Sequence, residues 1–316
     1  MTGASIVVPS FRGAAHLPGL LAALSGQGHT DFEVLVVIDG RVDDSPQIVA
    51  NHGDDRIHAI VLEQNQGRVT ALNTGFTQAS GEILIRCDDD LKPGPTWLAA
   101  HVAAHDGRTN GVIGFCADVL PDSPYADAYG RPRIARMRAI TAELSETAQA
   151  WRLWGGNVSV PRRLWEQIGP YDAAFTGYGW EDAEWGYRLH REGVPIVAVE
   201  GAEADHLAAS TSVRTRATRA FDSAGARRIF TSLHPEAATD DEPPSSLWNT
   251  SVRRAADHLT RRRVERLADA ADYALRYLPR AVSEKMVAFA VETASAAGAR
   301  TDHRQPAHPE EGHTLS

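Results

Sequence analysis

Apolar runs alternate with stretches of helical periodicity through the first hundred residues. Ile6, Val7 and Val8, closed by Pro9, predict a buried strand. Leu17, Leu20, Leu21 and Leu24 are spaced for a helix over His16 to Leu24. Glu33 to Asp39 (EVLVVID) predicts a second buried strand, with Asp39 at its carboxyl end and Gly40 turning the chain. A short helix over Pro46 to Asn51, a strand over Ile57 to Leu62, and a helix over Gly67 to Ala79 with Val69, Leu72 and Phe76 on one face follow. Ile83, Leu84 and Ile85 form a fourth strand. Strands alternating with helices imply an α/β chain with a mostly parallel sheet covered on both faces.

The pattern is less regular beyond this point. Gly111 to Phe115 is a strand candidate, Pro121 to Pro132 reads as a loop, and Ile134 to Ala150 as a helix with Ile140, Leu144 and Ala148 at steps of four. A strand closes the segment from Trp151 to Val160, and a short helix follows from Pro161 to Ile168. Tyr171 to Gly179 is a loop, Glu181 to Arg191 a helix and Val194 to Val199 a strand. Thr239 to Ser246 turns to Asp, Glu, Pro and Ser and reads as a linker. Two helices are predicted beyond it, over Val252 to Leu278 and Ala281 to Ala297. The polar tail at 300–316 is predicted to be disordered. There is no internal repeat.

Composition narrows the classes. The 316 residues are 43% hydrophobic and 23% charged, enough for a sizeable core, and the net charge of −9 argues against wholesale nucleic-acid binding. Cys87 and Cys116 form no disulfide or metal pattern, which fits a reducing compartment. No charged leader with a long apolar run opens the chain, and no run is long enough to cross a bilayer, so the expectation is cytoplasmic. Abundant arginine and alanine suggest a GC-rich bacterial source.

The candidate chemistry centres on Asp88, Asp89 and Asp90 at the mouth of the fourth strand. Three adjacent carboxylates stay ionised most easily around a cation, and Mg²⁺ or Mn²⁺ prefers oxygen ligands. Open α/β sheets bind ligands at the carboxyl ends of their strands. The plain alternative is an acidic turn before a helix capped at Thr96. Gly177-Tyr178-Gly179-Trp180-Glu181-Asp182 sets two carboxylates at a helix start beside two aromatic faces suited to sugars. Here the plain alternative is favourable acids in a first helical turn. His206, beside Asp205 beyond the last strand, is a further metal-ligand candidate. Asn65, Gly67, Ala71, Asn73 and Gly75 form a spaced set that ordinary capping also explains. Phosphate-loop, nucleophile-elbow and zinc-protease motifs are missing.

Taken in order, SIVVPSF, VLVVIDG, NQGRVTALNTGF, GEILIRCDDD, GGNVSVPRRLWEQIGPYD and GYGWEDAEWGYRL resemble the family 2 glycosyltransferases of GT-A fold, over roughly Ser5 to His206. The acidic triplet and the Gly-Trp-Glu-Asp segment are also similar to the galactosyl- and N-acetylgalactosaminyltransferase carboxyl-terminal module. The resemblance implies a catalytic domain over 1–238, with a nucleotide-sugar half (1–105) and an acceptor half (106–238). A C-terminal helical extension (245–299) and the tail follow. It implies donor contacts at Pro9, Phe11, Asp39, Asn65, Gly67, Arg68, Asn73, Asp88 and Asp89. It implies acceptor contacts at Trp154, Gly156, Asn157, Tyr178 and Trp180. Mn²⁺ or Mg²⁺ would be held by Asp88, Asp90 and His206, and Glu181 and Asp182 would be catalytic, with Asp182 as base. Two positions depart from the family pattern: Arg12 follows Phe11, and Gly40-Arg41 follows Asp39, where the family usually has Asn and Asp-Gly-Ser.

The reaction expected is inverting, hexosyltransferase-type transfer from a nucleotide sugar to the hydroxyl of a carbohydrate, lipid-linked sugar or small molecule. A nucleotidyltransferase on a similar sheet and an inactive sugar-binding or scaffold protein are the rivals. Arg253, Arg254, Arg261, Arg262, Arg263 and Arg266 crowd the C-terminal segment beside an apolar stripe. Their simplest role is pairing with the acidic domain. The sharper one is peripheral contact with anionic lipid at the inner face of a membrane. Donor, acceptor and oligomeric state are not legible.

Overall fold

The computed structural model describes residues 3–238 and 246–300. The predicted linker at 239–245 and the tail from 301 lie outside the described residues. The described residues hold ten strands: β1 Ala4–Ser10, β2 Phe32–Asp39, β3 Ile57–Leu62, β4 Ile83–Cys87, β5 Leu91–Pro93, β6 Gly111–Ile113, β7 Cys116–Asp118, β8 Asn157–Pro161, β9 Ile196–Ala198 and β10 Ala204–His206. Seven form one sheet in the order β3-β2-β1-β4-β8-β6-β9. Only β8 runs against its neighbours; the other pairings are parallel, as the βα alternation requires. A second sheet, β5-β10-β7, stands beyond the acidic triplet.

Side-chain alternation splits the core between the two sheet faces. Ile6, Val8, Val34, Val36 and Ile38 pack beneath α1 (Leu17–Ser25), α2 (Ser45–Ala50) and α4 (Trp97–Ala104). Val7, Leu35 and Val37 face the other way, with α3 (Arg68–Gln78) introduced between α2 and α4 in the chain. The α1 leucines are fully buried, each worth about 1.5–3 kcal/mol. Further along run α5 (Arg131–Leu144), α6 (Arg162–Ile168), α7 (Glu181–Arg191) and α8 (Val213–Leu233). The short α9 (Pro235–Ala238), then α10 (Leu247–Ala256), α11 (Arg261–Ala274) and α12 (Arg280–Gly298) complete the described chain.

Several expectations need correction. The loop read over Pro121 to Pro132 contains a π-helical turn, Ala126–Gly130, that runs straight into α5. The helix read to Ala150 stops at Leu144. The strand read over Gly111 to Phe115 is shortened to β6, Gly111–Ile113, and β7 starts just beyond it and joins the other sheet. Three helices, rather than two, follow the linker, because the chain breaks at Asp257–Thr260 and again before Pro279. The longest helix, α8, lies in a stretch to which the sequence pattern assigns no element. It shares a hydrophobic cluster with α11 and α12 through Val213, Ala217 and Phe221, so the C-terminal helices are packed onto the rest of the chain.

Candidate active site

The carboxyl ends of β1, β2 and β4 open on one side of the sheet, and the acidic triplet leaves β4 there. Each aspartate meets a different partner. Arg86, two residues earlier, lies on the same face of β4 as Asp88 because strand side chains alternate. Its Nε donates to Asp88 Oδ1 at 2.7 Å and its Nη2 to Oδ2 at 3.2 Å. Its Nη1 pairs with Asp182 Oδ1, at the start of α7. Arg86 is fully buried, and burial opposes its charge, but Asp182 and Asp88 hold it protonated far above the usual range. One guanidinium therefore ties the triplet to the acidic pair across 96 residues of sequence. The sequence reading passed over Arg86; its signal was a lone charge in an apolar strand, in step with Asp88.

Asp89 turns back to β1, where Ser10 Oγ donates to it at 2.6 Å. Burial, then Asp90 and Asp88 beside it, push it up to about 7 against that hydrogen bond. Asp90 faces His206, with Oδ2 to Nε2 at 3.3 Å. The β10–β7 register sets His206 opposite Asp118, and Nδ1 meets Asp118 Oδ1 at 2.7 Å. Arg133 bonds the other Asp118 oxygen at 3.2 Å. Burial opposes a charged His206, yet its bonds to Asp118 and Asp90 raise it to about 9. Burial would raise Asp90, and His206 lowers it. Asp118 is the second residue missed by the sequence reading.

These contacts decide how a cation would fit. Among the described residues, no group of three His, Cys, Asp or Glu side chains is spaced to hold a metal. The expected trio is not assembled, and Arg86 donates to both oxygens of Asp88. Asp90 and His206 remain together, and Asp118 fixes the far ring nitrogen as carboxylates do behind metal-bound histidines. A hard cation held by one or two side chains and completed by substrate phosphates and water suits this pair.

The α7 start is built by backbone strain. Trp180 precedes it with φ 70°, and Arg12, at the end of β1, has φ 56°. Left-handed non-glycine residues cost about 1–3 kcal/mol and cluster at functional sites. Glu181 is buried, with Oε1 3.3 Å from Arg68 and no hydrogen bond to Oε2 among the described residues. Asp182 keeps 18% of its side chain exposed. Burial pushes Asp182 up, to about 7; Arg86 pulls it down, while Glu181 and Asp88 add to the rise. Arg86 holds Oδ1, and among the described residues Oδ2 has no hydrogen-bond partner, leaving one oxygen able to take a proton.

Other expected residues separate into two groups. Pro9 is buried, and Phe11 is exposed under the Arg12 guanidinium at the β1 edge. Asp39 accepts from the amides of Gln66 and Gly67 at 2.6 and 2.8 Å, and Asn65 Oδ1 from Gly67 at 3.0 Å. Those side chains shape the loop before α3. Tyr178 is exposed with Arg68 over its ring, and Trp180 packs on Phe230, both beside α7. Gly156 lies against Asp88: its carbonyl accepts from the Asp88 amide at 3.0 Å, and a Cβ there would collide with the Asp88 carboxylate.

Three of the expected side chains are already engaged by protein partners. Asn73 spans the Tyr171 amide and carbonyl at 2.8 and 2.9 Å, pinning the loop before α7. Trp154 is buried and stacks on Trp185 at 5.3 Å. Asn157 is buried and bonds Trp97, His101 and the Ala202 carbonyl. Their chemistry is consumed by packing, which spacing in the sequence could not reveal.

Comparison with known proteins agrees with this architecture. The profile described as glycosyl transferase family 2 matches residues 5–168, and that of the N-terminal domain of galactosyltransferase matches residues 135–210. The validoxylamine A glucosyltransferase of Streptomyces hygroscopicus subsp. jinggangensis is 30% identical over 233 residues, 64% of this chain and 55% of that protein. The chondroitin synthase of Escherichia coli is 27% identical over 236 residues, 65% of this chain and 34% of that protein. The matches thus span about half or less of these relatives. A mannosyltransferase from Pyrobaculum calidifontis, in complex with GDP-Man and Mn²⁺, superposes with a TM-score of 0.60 at 20% identity, covering 93% of this chain and 86% of that one. S. aureus TarS 1–349 superposes with a TM-score of 0.53 at 14% identity, covering 94% and 90%. These two likenesses establish the fold. Among the described residues, no helix is long and apolar enough to cross a membrane.

Proposed function

The chain belongs to glycosyl transferase family 2, and from that premise we propose that it moves a sugar from a nucleotide-sugar donor to an acceptor hydroxyl, with inversion. The observation that carries the reading is the half-engaged Asp182, tied through Arg86 to Asp88. The nucleotide lies over the ends of β1 and β2, on the loop that Asp39 organises. Asp88 orients the donor beside Arg86. Asp182 Oδ2 takes the proton of the attacking hydroxyl, and a base raised towards neutrality is efficient at this task, worth ~10²–10⁴-fold. Asp90 and His206, the histidine giving up its proton, would hold Mn²⁺ or Mg²⁺, which when bound would offset charge developing on the diphosphate. With one base on the acceptor side and no carboxylate assigned beneath the anomeric carbon, single displacement follows. Tyr178 and Trp180 offer faces for a carbohydrate, lipid-linked sugar or small-molecule acceptor. The Mn²⁺ and GDP-Man of the mannosyltransferase complex support the cation and nucleotide-sugar parts.

Thermal-shift screening of UDP-, GDP- and dTDP-sugars with Mn²⁺ tests this reading. One donor at ~100 times its dissociation constant should add about 2.7 kcal/mol of apparent stability. No shift with any sugar, together with pyrophosphate release from a nucleoside triphosphate, would favour a nucleotidyltransferase instead.

A further inference from the structure

Helices α8, α10, α11 and α12 line a cavity of about 360 Å³ that shares no lining residue with the acidic cleft. Its size is that of a small-ligand pocket. Ala217 of α8 lines it, with Leu267 and Ala271 of α11 and Met286, Phe289 and Thr293 of α12. Small and apolar side chains dominate, and such cavities stay dry and take apolar ligands. Thr293 breaks the pattern. It is 3% exposed, and its hydroxyl has no hydrogen-bond partner among the described residues.

Charge is segregated around α11. Glu265 and Asp269 bond Arg214, and Asp272 accepts from the Val213 and Arg214 amides, so the acids of this helix face α8. Leu267 and Ala270 line the cavity yet are exposed, marking its open side. By helical spacing, Arg263 and Arg266 border that opening. Both are exposed, and Arg263 donates to the His258 carbonyl at 2.6 Å, beside the cavity-lining Leu259. The opening therefore carries cations and no carboxylate from α11.

We propose that this cavity binds one aliphatic chain bearing an anionic head, with the chain among the helices and the head on Arg263 and Arg266. An oxygen near the head gives the Thr293 hydroxyl its partner. The site is independent of the transferase reading. It also accounts for part of the arginine cluster that distinguishes this segment of an acidic protein.

The probe is 11-(dansylamino)undecanoic acid, titrated into the delipidated full chain and followed by dansyl fluorescence. Dodecanoic acid and dodecyl phosphate compete in separate arms, so the stronger competitor identifies a carboxylate or phosphate head. Saturable binding near one probe per chain is expected. Ala270→Trp, which fills the cavity from its exposed side, should weaken binding at least 10-fold with unchanged thermal unfolding. Arg263→Ser with Arg266→Ser should weaken the acids about 10-fold while leaving dodecanol competition unchanged. No saturable binding, several probes per chain, wild-type affinity in Ala270→Trp, or binding only to phosphatidylglycerol vesicles would each overturn the proposal. Donor-induced thermal shifts in Ala270→Trp report the catalytic site separately.

Discussion

Replacing Arg86 with methionine tests the charge bridge at the mouth of β4. In the native arrangement one buried cation serves Asp88 through two hydrogen bonds and Asp182 through one. Methionine retains the unbranched stem and leaves two carboxylates facing each other without it. Removing one member of a buried ion pair costs about 3–5 kcal/mol. The two acids keep 23% and 18% of their side chains exposed, so water relieves part of this, and about 3 kcal/mol is expected. With an m-value of about 3 kcal/mol/M, the urea midpoint should fall by about 1 M. Arg86→Lys restores the charge without the planar fork and should recover only part of the loss. Asp182→Asn placed on Arg86→Met removes one stranded charge, so the double variant should lose less than the two single losses combined. An Arg86→Met midpoint within about 0.2 M of wild type, or strictly additive losses, would refute the bridge.

Two further outcomes follow from other contacts. Asp118→Asn should weaken Mn²⁺ affinity about 10–100-fold while leaving the fold intact, since Asp118 reaches a cation only through His206; titration calorimetry with donor analogue present checks this. His101 and His105 sit in a buried chain with Ser159, Asn157 and Asn110, and burial pushes them down to about 3 and about 4. Below pH 6.5 the unfolded chain takes up protons that the folded chain refuses, so stability should fall with pH from there towards about 4. At pH 4.5 the loss should be roughly 2–3 kcal/mol per histidine, and His101→Gln with His105→Gln should flatten the urea-midpoint profile; an unchanged profile contradicts the assignment.

The first four strands were legible because their apolar runs are long enough to be buried whole, and Asp39 and the triplet mark where they end. The start of α7 at Glu181 was legible from the acids that follow glycine-rich sequence. Arg86 was hidden because an isolated arginine in an apolar strand has no local reason to be there. Its partner Asp182 is remote in sequence, and only folding supplies the reason. Asp118 was hidden for a related cause: β7 is three residues long, and its value comes from its register with His206. Conversely, Asn73, Asn157 and Trp154 stand in recognisable motifs but spend their polar or aromatic capacity on neighbouring loops and core. In α8 half of the buried residues are alanine, too weak a stripe to read as a helix face until α11 and α12 cover it.

Asp182→Asn puts the central claim to its most direct test. The variant keeps the size of the side chain and its contact with Arg86 but cannot accept the acceptor proton. With the donor found by thermal shift, Mn²⁺-dependent transfer should fall by ~10²-fold or more, while the donor-induced shift remains near that of wild type. Transfer at the wild-type rate in Asp182→Asn, with loss in Glu181→Gln instead, would contradict the account.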